Sequence, residues 1–213
     1  MVGIVFATRQ EAEPFLRLAS AVSIDDTPVP LYRVSTAIHP ECLAAVSGMG
    51  KVAAAMTAVH LVLQQRATIL VNAGLCGCLT REKNWRVGDL LCVDSAVEGD
   101  CDRFGQPETA VGCSAGWFRD LAAARLTTCD RPVFAADQRR ELAAVADLVD
   151  MEGAAVARVA DWYGIPCALL KGISDCADDG GRQEIARHLA GVAETIARKL
   201  VGELKNQATE KKR

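Results

Sequence analysis

Val2-Gly3-Ile4-Val5-Phe6-Ala7-Thr8-Arg9-Gln10-Glu11 opens the chain and sets its architecture. Val2 to Ala7 carries no polar side chain and does not alternate. Such a run predicts a strand buried on both faces, as in a parallel sheet covered by helices on each side. A polar turn follows, and Glu11 to Ser20 predicts a helix with Phe15, Leu16 and Ala19 at helical spacing.

The same strand-then-helix pattern recurs outward from this stretch. Asp25 to Pro30 is a turn-rich break, and Val29 to Ser35 and Cys42 to Ser47 predict two further strands. Gly48-Met49-Gly50 is a hinge into a helix. On it Val52, Met56, Val59 and Leu63 recur at i, i+4, i+7 and i+11, a face suited to core or interface equally. Thr68 to Val71, Asp89 to Val93 and Cys167 to Ile173 predict strands. Glu98 to Gly116 is polar and aperiodic and reads as a loop. Trp117 to Arg125 reads as helix, Leu126 to Thr128 as a short strand, and Asp130-Arg131-Pro132 as a turn. Gln138 to Ala146 reads as helix. Met151 to Tyr163 is a helix closed by Gly164 and Pro166. Gly181 to about Leu204 forms a long last helix with apolar Ile185, Leu189, Val192, Ile196 and Leu200, and Lys205–Arg213 is a charged tail expected to fray. Alternating strands and helices without a linker predict one α/β domain over residues 1–213, a three-layer sandwich.

Composition narrows the function classes. The net charge of −3 does not suggest a nucleic-acid partner. The first apolar run is too short for a signal peptide, and no later one spans a membrane, so a cytoplasmic protein is expected. Nine cysteines are scattered through apolar runs. Only Cys76-Gly77-Cys78 forms a close pair, without a second pair at metal-site distance, so reduced core thiols are expected and no metal. Neither a phosphate-binding loop nor a dinucleotide fingerprint occurs, so no cofactor is expected. His39, His60 and His188 show no partner pattern. Glu11, Gly48–Gly50, Asn72–Gly77 and Ser174-Asp175 all follow predicted strand ends. In α/β sheets that places them around one ligand crevice.

Four segments, in this order and spacing, resemble the nucleoside phosphorylase/nucleosidase superfamily, most closely its methylthioadenosine/S-adenosylhomocysteine nucleosidase branch. They are the first strand reaching Glu11; Ser47-Gly48-Met49-Gly50-Lys51-Val52-Ala53-Ala54-Ala55; Val71-Asn72-Ala73-Gly74-Leu75-Cys76-Gly77 with Val87-Gly88-Asp89; and Asp150-Met151-Glu152-Gly153-Ala154-Ala155-Val156-Ala157 with Lys171-Gly172-Ile173-Ser174-Asp175. The set spans nearly the whole chain, except that residues 98–145 are shorter than in the typical nucleosidase and match poorly. The resemblance implies a mixed, twisted central sheet of the phosphorylase/hydrolase kind, a small-molecule nucleoside as partner, and a homodimer or larger assembly.

Cleaving a ribosyl C–N bond passes through an oxocarbenium-like transition state. It needs a proton donor at the base, an anion near the sugar and a positioned water. The resemblance implies Asp175 as donor to purine N7, Glu152 as acceptor for the ribose hydroxyls, and Glu11 as base toward water. Taken alone, Asp175 also reads as a turn or cap aspartate, and Glu152 and Glu11 as first-turn helix carboxylates. Only register selects Glu11 over Glu13. Met151 would pack on the ribose, Val133 and Phe134 beside the purine, and each reads equally as core. Gly48, Gly50 and Gly74 would let backbone approach the ligand, with Leu75 and Ser174 beside it.

Phosphorylases of this superfamily clamp phosphate with arginines, one at the position of Asn72, which carries no charge. Arg9 lies near where another phosphate arginine could reach, but water is the expected nucleophile. Leu75 stands where the typical methylthioadenosine nucleosidase has serine, and this looks more like futalosine hydrolases and hopanoid-associated nucleosidases. Futalosine hydrolases tend to carry asparagine where Asp175 stands, whereas aspartate suits a 6-aminopurine. The expectation is therefore hydrolysis of a 5′-substituted adenine nucleoside. The alternatives are a phosphorylase, a non-catalytic nucleoside binder and, least favoured, a thiol or metal protein built on Cys76 and Cys78.

Overall fold

The computed structural model describes residues 1–213 apart from 102–103, 107–108, 114–115 and 211–213. The chain runs β1 (Val2–Phe6), α1 (Arg9–Leu18), β2 (Val22–Asp25), β3 (Leu31–Arg33), β4 (Cys42–Val46), α2 (Lys51–Leu63), β5 (Ile69–Cys78) and β6 (Leu90–Glu98). It continues through β7 (Val111–Gly112), β8 (Ala122–Thr128), α3 (Ala136–Ala143), β9 (Leu148–Asp150), α4 (Gly153–Trp162), β10 (Cys167–Asp175) and α5 (Gly181–Glu210).

β1 is buried along its whole length. Alternate side chains on a strand point to opposite faces, so an uninterrupted apolar run feeds two cores. Val2, Ile4 and Phe6 pack with α1 residues Ala12, Phe15 and Leu16 and with α5 residues Val192, Ile196 and Leu200. Val5 faces the other way, toward Ala54, Ala58 and Leu61 of α2 and Val156 and Ala157 of α4. The sheet therefore lies between an α1/α5 layer and an α2/α4 layer, as the three-layer expectation requires.

The sheet is mixed. Its order is β10-β6-β8-β9-β5-β1-β4-β3-β2, with β7 added on β6 and β10 also paired with β5. Strands β10, β6, β8, β9 and β5 thereby form a closed circuit, from which β1, β4, β3 and β2 extend as an open wing. β1 is parallel to both β4 and β5, and β5 is parallel to β10. β10 and β6 run antiparallel. This arrangement brings the carboxyl ends of β1, β5 and β10 to one edge.

Several elements differ from expectation. The stretch Trp117 to Arg125 is not helical. Phe118 takes a φ of 55°, and Ala122–Thr128 pairs in parallel with β6. Burial of Ala124 and Leu126 against the sheet overrides the helix preference of three consecutive alanines. β9, three residues long, was not expected; it pairs with β5 and β8. The helix expected from Met151 starts at Gly153. The tail expected to fray from Lys205 stays helical to Glu210, with Leu204 wholly buried and Gln207 bonded to Glu203 at 3.0 Å; residues 211–213 lie outside the described part. Of the expected loop Glu98 to Gly116, Glu98 ends β6 and Val111–Gly112 form β7, while residues 102–103, 107–108 and 114–115 lie outside the described part.

The α2 helix turns its larger apolar stripe outward. Val52, Met56 and Leu63 are 73 %, 67 % and 54 % exposed, whereas Ala54, Thr57, Ala58 and Leu61 face the sheet. A Cβ on Gly3 of β1 would meet Leu61 of α2 at 3.3 Å and Ala67, beyond the helix, at 3.1 Å, so the bare glycine makes room for the buried Leu61.

Candidate active site

Glu11 gains its position from the start of α1. Thr8 and Glu11 form a capping box. The Thr8 side chain accepts from Glu11 N, and Glu11 Oε2 accepts from Thr8 N at 3.0 Å and from Thr8 Oγ1 at 2.8 Å. The other oxygen, Oε1, accepts the Leu75 N–H at 2.9 Å, across to β5. Glu13 is exposed and paired with Arg9 at 2.7 Å. The first-turn role and the pocket position thus coincide in Glu11, and Glu13 has neither.

Glu152 occupies the N-cap position of α4, but its side chain does not cap the helix. Asp150 does that work, accepting Gly153 N–H at 2.8 Å. Glu152 is left free to face the crevice, where its Oε1 accepts the Gly50 N–H at 2.7 Å. Gly50 has a φ of 98°, a conformation that favours glycine at this hinge. Burial pushes Glu152 up to about 7, with the Asp150 charge adding to the rise and Lys171 and the Gly50 N–H opposing it. Lys171 is completely buried against Asp150, 2.7 Å away. Burial alone would lower its pKa, but Asp150 and Glu152 together hold the ammonium above its usual range.

Asp175 ends β10. Its Oδ1 accepts from Ser174 Oγ at 2.6 Å and its Oδ2 from Ala177 N at 2.9 Å. It is buried, and desolvation raises its pKa against both hydrogen bonds. On the far side of Ser174, His188 Nδ1 lies 3.3 Å from the Ser174 carbonyl.

The three carboxylates line one crevice of about 350 Å³. Leu75, Val133, Phe134, Met151 and Ser174, all named from the sequence, line it too. Gly48, Gly50 and Gly74 stand behind the lining. Gly50 holds Glu152, and a Cβ on Gly74 would lie 2.9 Å from Glu11 Oε1. Gly48, with a φ of 87°, shapes the turn. Sequence reasoning missed Met49, Pro132, Ile185 and Leu189, which also line the crevice. Ile185 and Leu189 belong to the stripe that anchors α5. Nothing in that periodicity marks where the stripe leaves the core and enters the pocket.

No lysine or arginine lines the crevice among the described residues. Asn72 is buried with its amide donating to Val5 O at 3.1 Å. The Arg9 guanidinium pairs with Glu13 and lies over the Tyr32 ring, 5.0 Å from its centre. Cys76 and Cys78 are buried; burial raises both thiols, Cys78 to about 11, so neither is a ready thiolate. No helix of the described residues is long and apolar enough to cross a membrane.

Comparison with known proteins places this geometry in context. The phosphorylase superfamily profile matches residues 1–204. An aminodeoxyfutalosine nucleosidase of Helicobacter pylori is 27 % identical over 92 % of this chain and 95 % of its own. A 5′-methylthioadenosine nucleosidase of Arabidopsis thaliana is 30 % identical over 62 % of this chain and 53 % of its own. Among solved structures, the H. pylori futalosine hydrolase superposes with a TM-score of 0.89 at 25 % identity, covering 97 % of each chain. The H. pylori 5′-methylthioadenosine/S-adenosylhomocysteine nucleosidase bound to butyl-thio-DADMe-Immucillin-A does so with 0.89 at 26 % identity, over 96 % of this chain and 97 % of that one.

Proposed function

We propose, from the premise that this chain belongs to the phosphorylase superfamily, that it hydrolyses the N-glycosidic bond of an adenine nucleoside carrying an uncharged 5′ substituent. One observation carries the reading: Glu11, Glu152 and Asp175 converge on a crevice with no cation among its described lining residues. An anion brought there, whether phosphate or a carboxylate-bearing 5′ group, would be desolvated beside carboxylates without a counter-charge. A developing sugar cation would be stabilised by the same field.

Asp175, its pKa raised by burial, donates a proton to purine N7 as the C–N bond breaks. Its two oxygens also suit a 6-aminopurine, where one accepts from the exocyclic amine. Glu152, steadied by the Gly50 N–H, accepts from the ribose hydroxyls. Glu11, fixed through both oxygens by Thr8 and Leu75, takes a proton from water as its oxygen bonds to the anomeric carbon. Water rather than phosphate is the nucleophile, because Asn72 and Arg9 are engaged elsewhere. The relatives' names, nucleosidases and a hydrolase, support this choice.

The working unit is a homodimer. Met49 lines the crevice and is 70 % exposed, and it leads directly into the outward stripe Val52, Met56 and Leu63 of α2. A second copy seated on that stripe would bury it and narrow the crevice mouth. Val52→Asp with Met56→Asp should turn a dimer into a monomer by sedimentation.

The activity test is adenine release from methylthioadenosine, whose 5′ group is uncharged, from S-adenosylhomocysteine, whose 5′ group carries both a carboxylate and an ammonium, and from an analogue with a 5′ carboxylate alone, with and without phosphate. Phosphate-independent release from the uncharged substrate, lost in Asp175→Asn, is expected. Release that requires phosphate would make the chain a phosphorylase. No release from any of the three would leave a nucleoside-binding protein.

A further inference from the structure

Lys51 is absorbed by none of the roles above, yet it sits at the crossing of the elements that wall the crevice. It is the first residue of α2, next to the Gly50 whose N–H holds Glu152. Its side chain is 14 % exposed, and its ammonium reaches three carboxylates: Asp100 at 2.7 Å, Asp130 at 3.3 Å and Glu98 at 3.7 Å. Glu98 ends β6, Asp100 follows it, and Asp130 belongs to the turn after β8. Asp130 N–H also donates to Asp100 Oδ2. Two residues past Asp130 come Pro132, Val133 and Phe134, which line the crevice.

We propose that Lys51 is a positioning residue that holds the Pro132–Phe134 wall at its distance from Glu152, and so sets how tightly the nucleoside is gripped between base and sugar. The inference rests on the nucleosidase reading. The physical case is one of charge balance. With Lys51 in place, three carboxylates share one ammonium in a partly buried setting, where a network counts for more than an isolated surface pair. Without it, Asp100 and Asp130 repel each other directly, and the turn they anchor moves outward, carrying the wall with it. Lys51 does not touch the reacting atoms, so its removal should weaken binding of ground and transition states alike. That pattern raises KM and spares kcat.

The test is steady-state kinetics on the full chain with methylthioadenosine, or with whichever adenine nucleoside the wild type turns over. Lys51→Met should raise KM by about tenfold or more while kcat stays within about threefold. Lys51→Arg should restore most of the loss. Asp130→Asn, at a side chain 64 % exposed and therefore undemanding for folding, should raise KM in the same direction. Combining it with Lys51→Met should recover part of the KM loss of Lys51→Met, because the amide removes the repulsion between Asp100 and Asp130. A fall in melting temperature with KM unchanged in Lys51→Met and in Asp130→Asn would reduce Lys51 to a stabilising contact and overturn the proposal. If Lys51→Met fails to fold, unchanged KM in Asp130→Asn alone overturns it. Wild type that releases no adenine from any nucleoside is a different result, because it fails the nucleosidase reading itself.

Discussion

Lys171 and Asp150 face each other at 2.7 Å, and neither side chain reaches solvent. Asp150 stands two residues before Glu152 and Lys171 four before Asp175, so the pair ties together the strands that carry two of the three carboxylates. Asp150 also accepts from Thr128 Oγ1 at 2.6 Å and from the Gly153 N–H. Removing one partner leaves an uncompensated buried charge, which costs about 3–5 kcal/mol. Lys171→Met should therefore lower stability by about that amount in urea denaturation. Asp150→Asn in the Lys171→Met background should recover part of it. It should not recover all, because the amide accepts less well from Thr128 and Gly153. A Lys171→Met protein as stable as wild type would contradict the account.

Gly74 is a second place where one atom decides. A Cβ there would stand 2.9 Å from Glu11 Oε1, the oxygen that accepts the Leu75 N–H. Oε2 is tied to Thr8, so the carboxylate has no free direction in which to yield. Gly74→Ala should displace it and cut kcat by about 10²-fold, the usual contribution of a positioned base. The melting temperature should fall by only a few degrees, the cost of disturbing the capping box and the Leu75 N–H bond. Unchanged kcat would show that Glu11 is not the base or that its position is not critical.

Burial raises Glu152 to about 7 from an ordinary 4.5, and raises Asp175 as well. The folded chain thus binds these protons more tightly than the unfolded chain does. The contribution of Glu152 to stability is complete below about pH 4.5 and is lost as pH rises through about 7; that of Asp175 has the same sign. Melting temperature should fall from about pH 5 to about pH 8, and Glu152→Gln should flatten that slope because the amide does not ionise. An identical slope in the variant would mean that Glu152 titrates as an ordinary carboxylate.

The layers and most strands were legible because an apolar run buried on both faces has few other readings, as β1 shows. The family was legible too, from motif order. What escaped was set by tertiary pairing. Ala122, Ala123 and Ala124 are good helix formers that become strand because β6 offers a parallel partner. β9 is too short to carry a period. Both stripes of α2 are apolar, so its periodicity does not distinguish them; Ala54, Ala58 and Leu61 go in, and Val52, Met56 and Leu63 stay out. The lining of the candidate crevice was legible where a motif ended a strand, as at Asp175. It was not legible at Ile185 and Leu189, where a core stripe continues into a pocket.

Two glycines allow the packing argument to be tested in opposite directions. A Cβ on Gly172, in the middle of β10, would meet Val192 Cγ1 at 2.5 Å and Ile196 Cδ1 at 3.0 Å, both on α5. Neither neighbour can retreat, since each is buried in the α1/α5 core. Gly172→Ala should force α5 off the sheet and cost about 1–3 kcal/mol. Gly202 lies on α5, where a Cβ would meet nothing within 4 Å and φ is not positive. An alanine there meets no clash and narrows the unfolded ensemble, so Gly202→Ala should stabilise by about 0.4–1 kcal/mol. Thermal denaturation of the two variants should move the midpoint down for the first and up for the second. A neutral Gly172→Ala would mean that α5 sits farther from β10 than these contacts require.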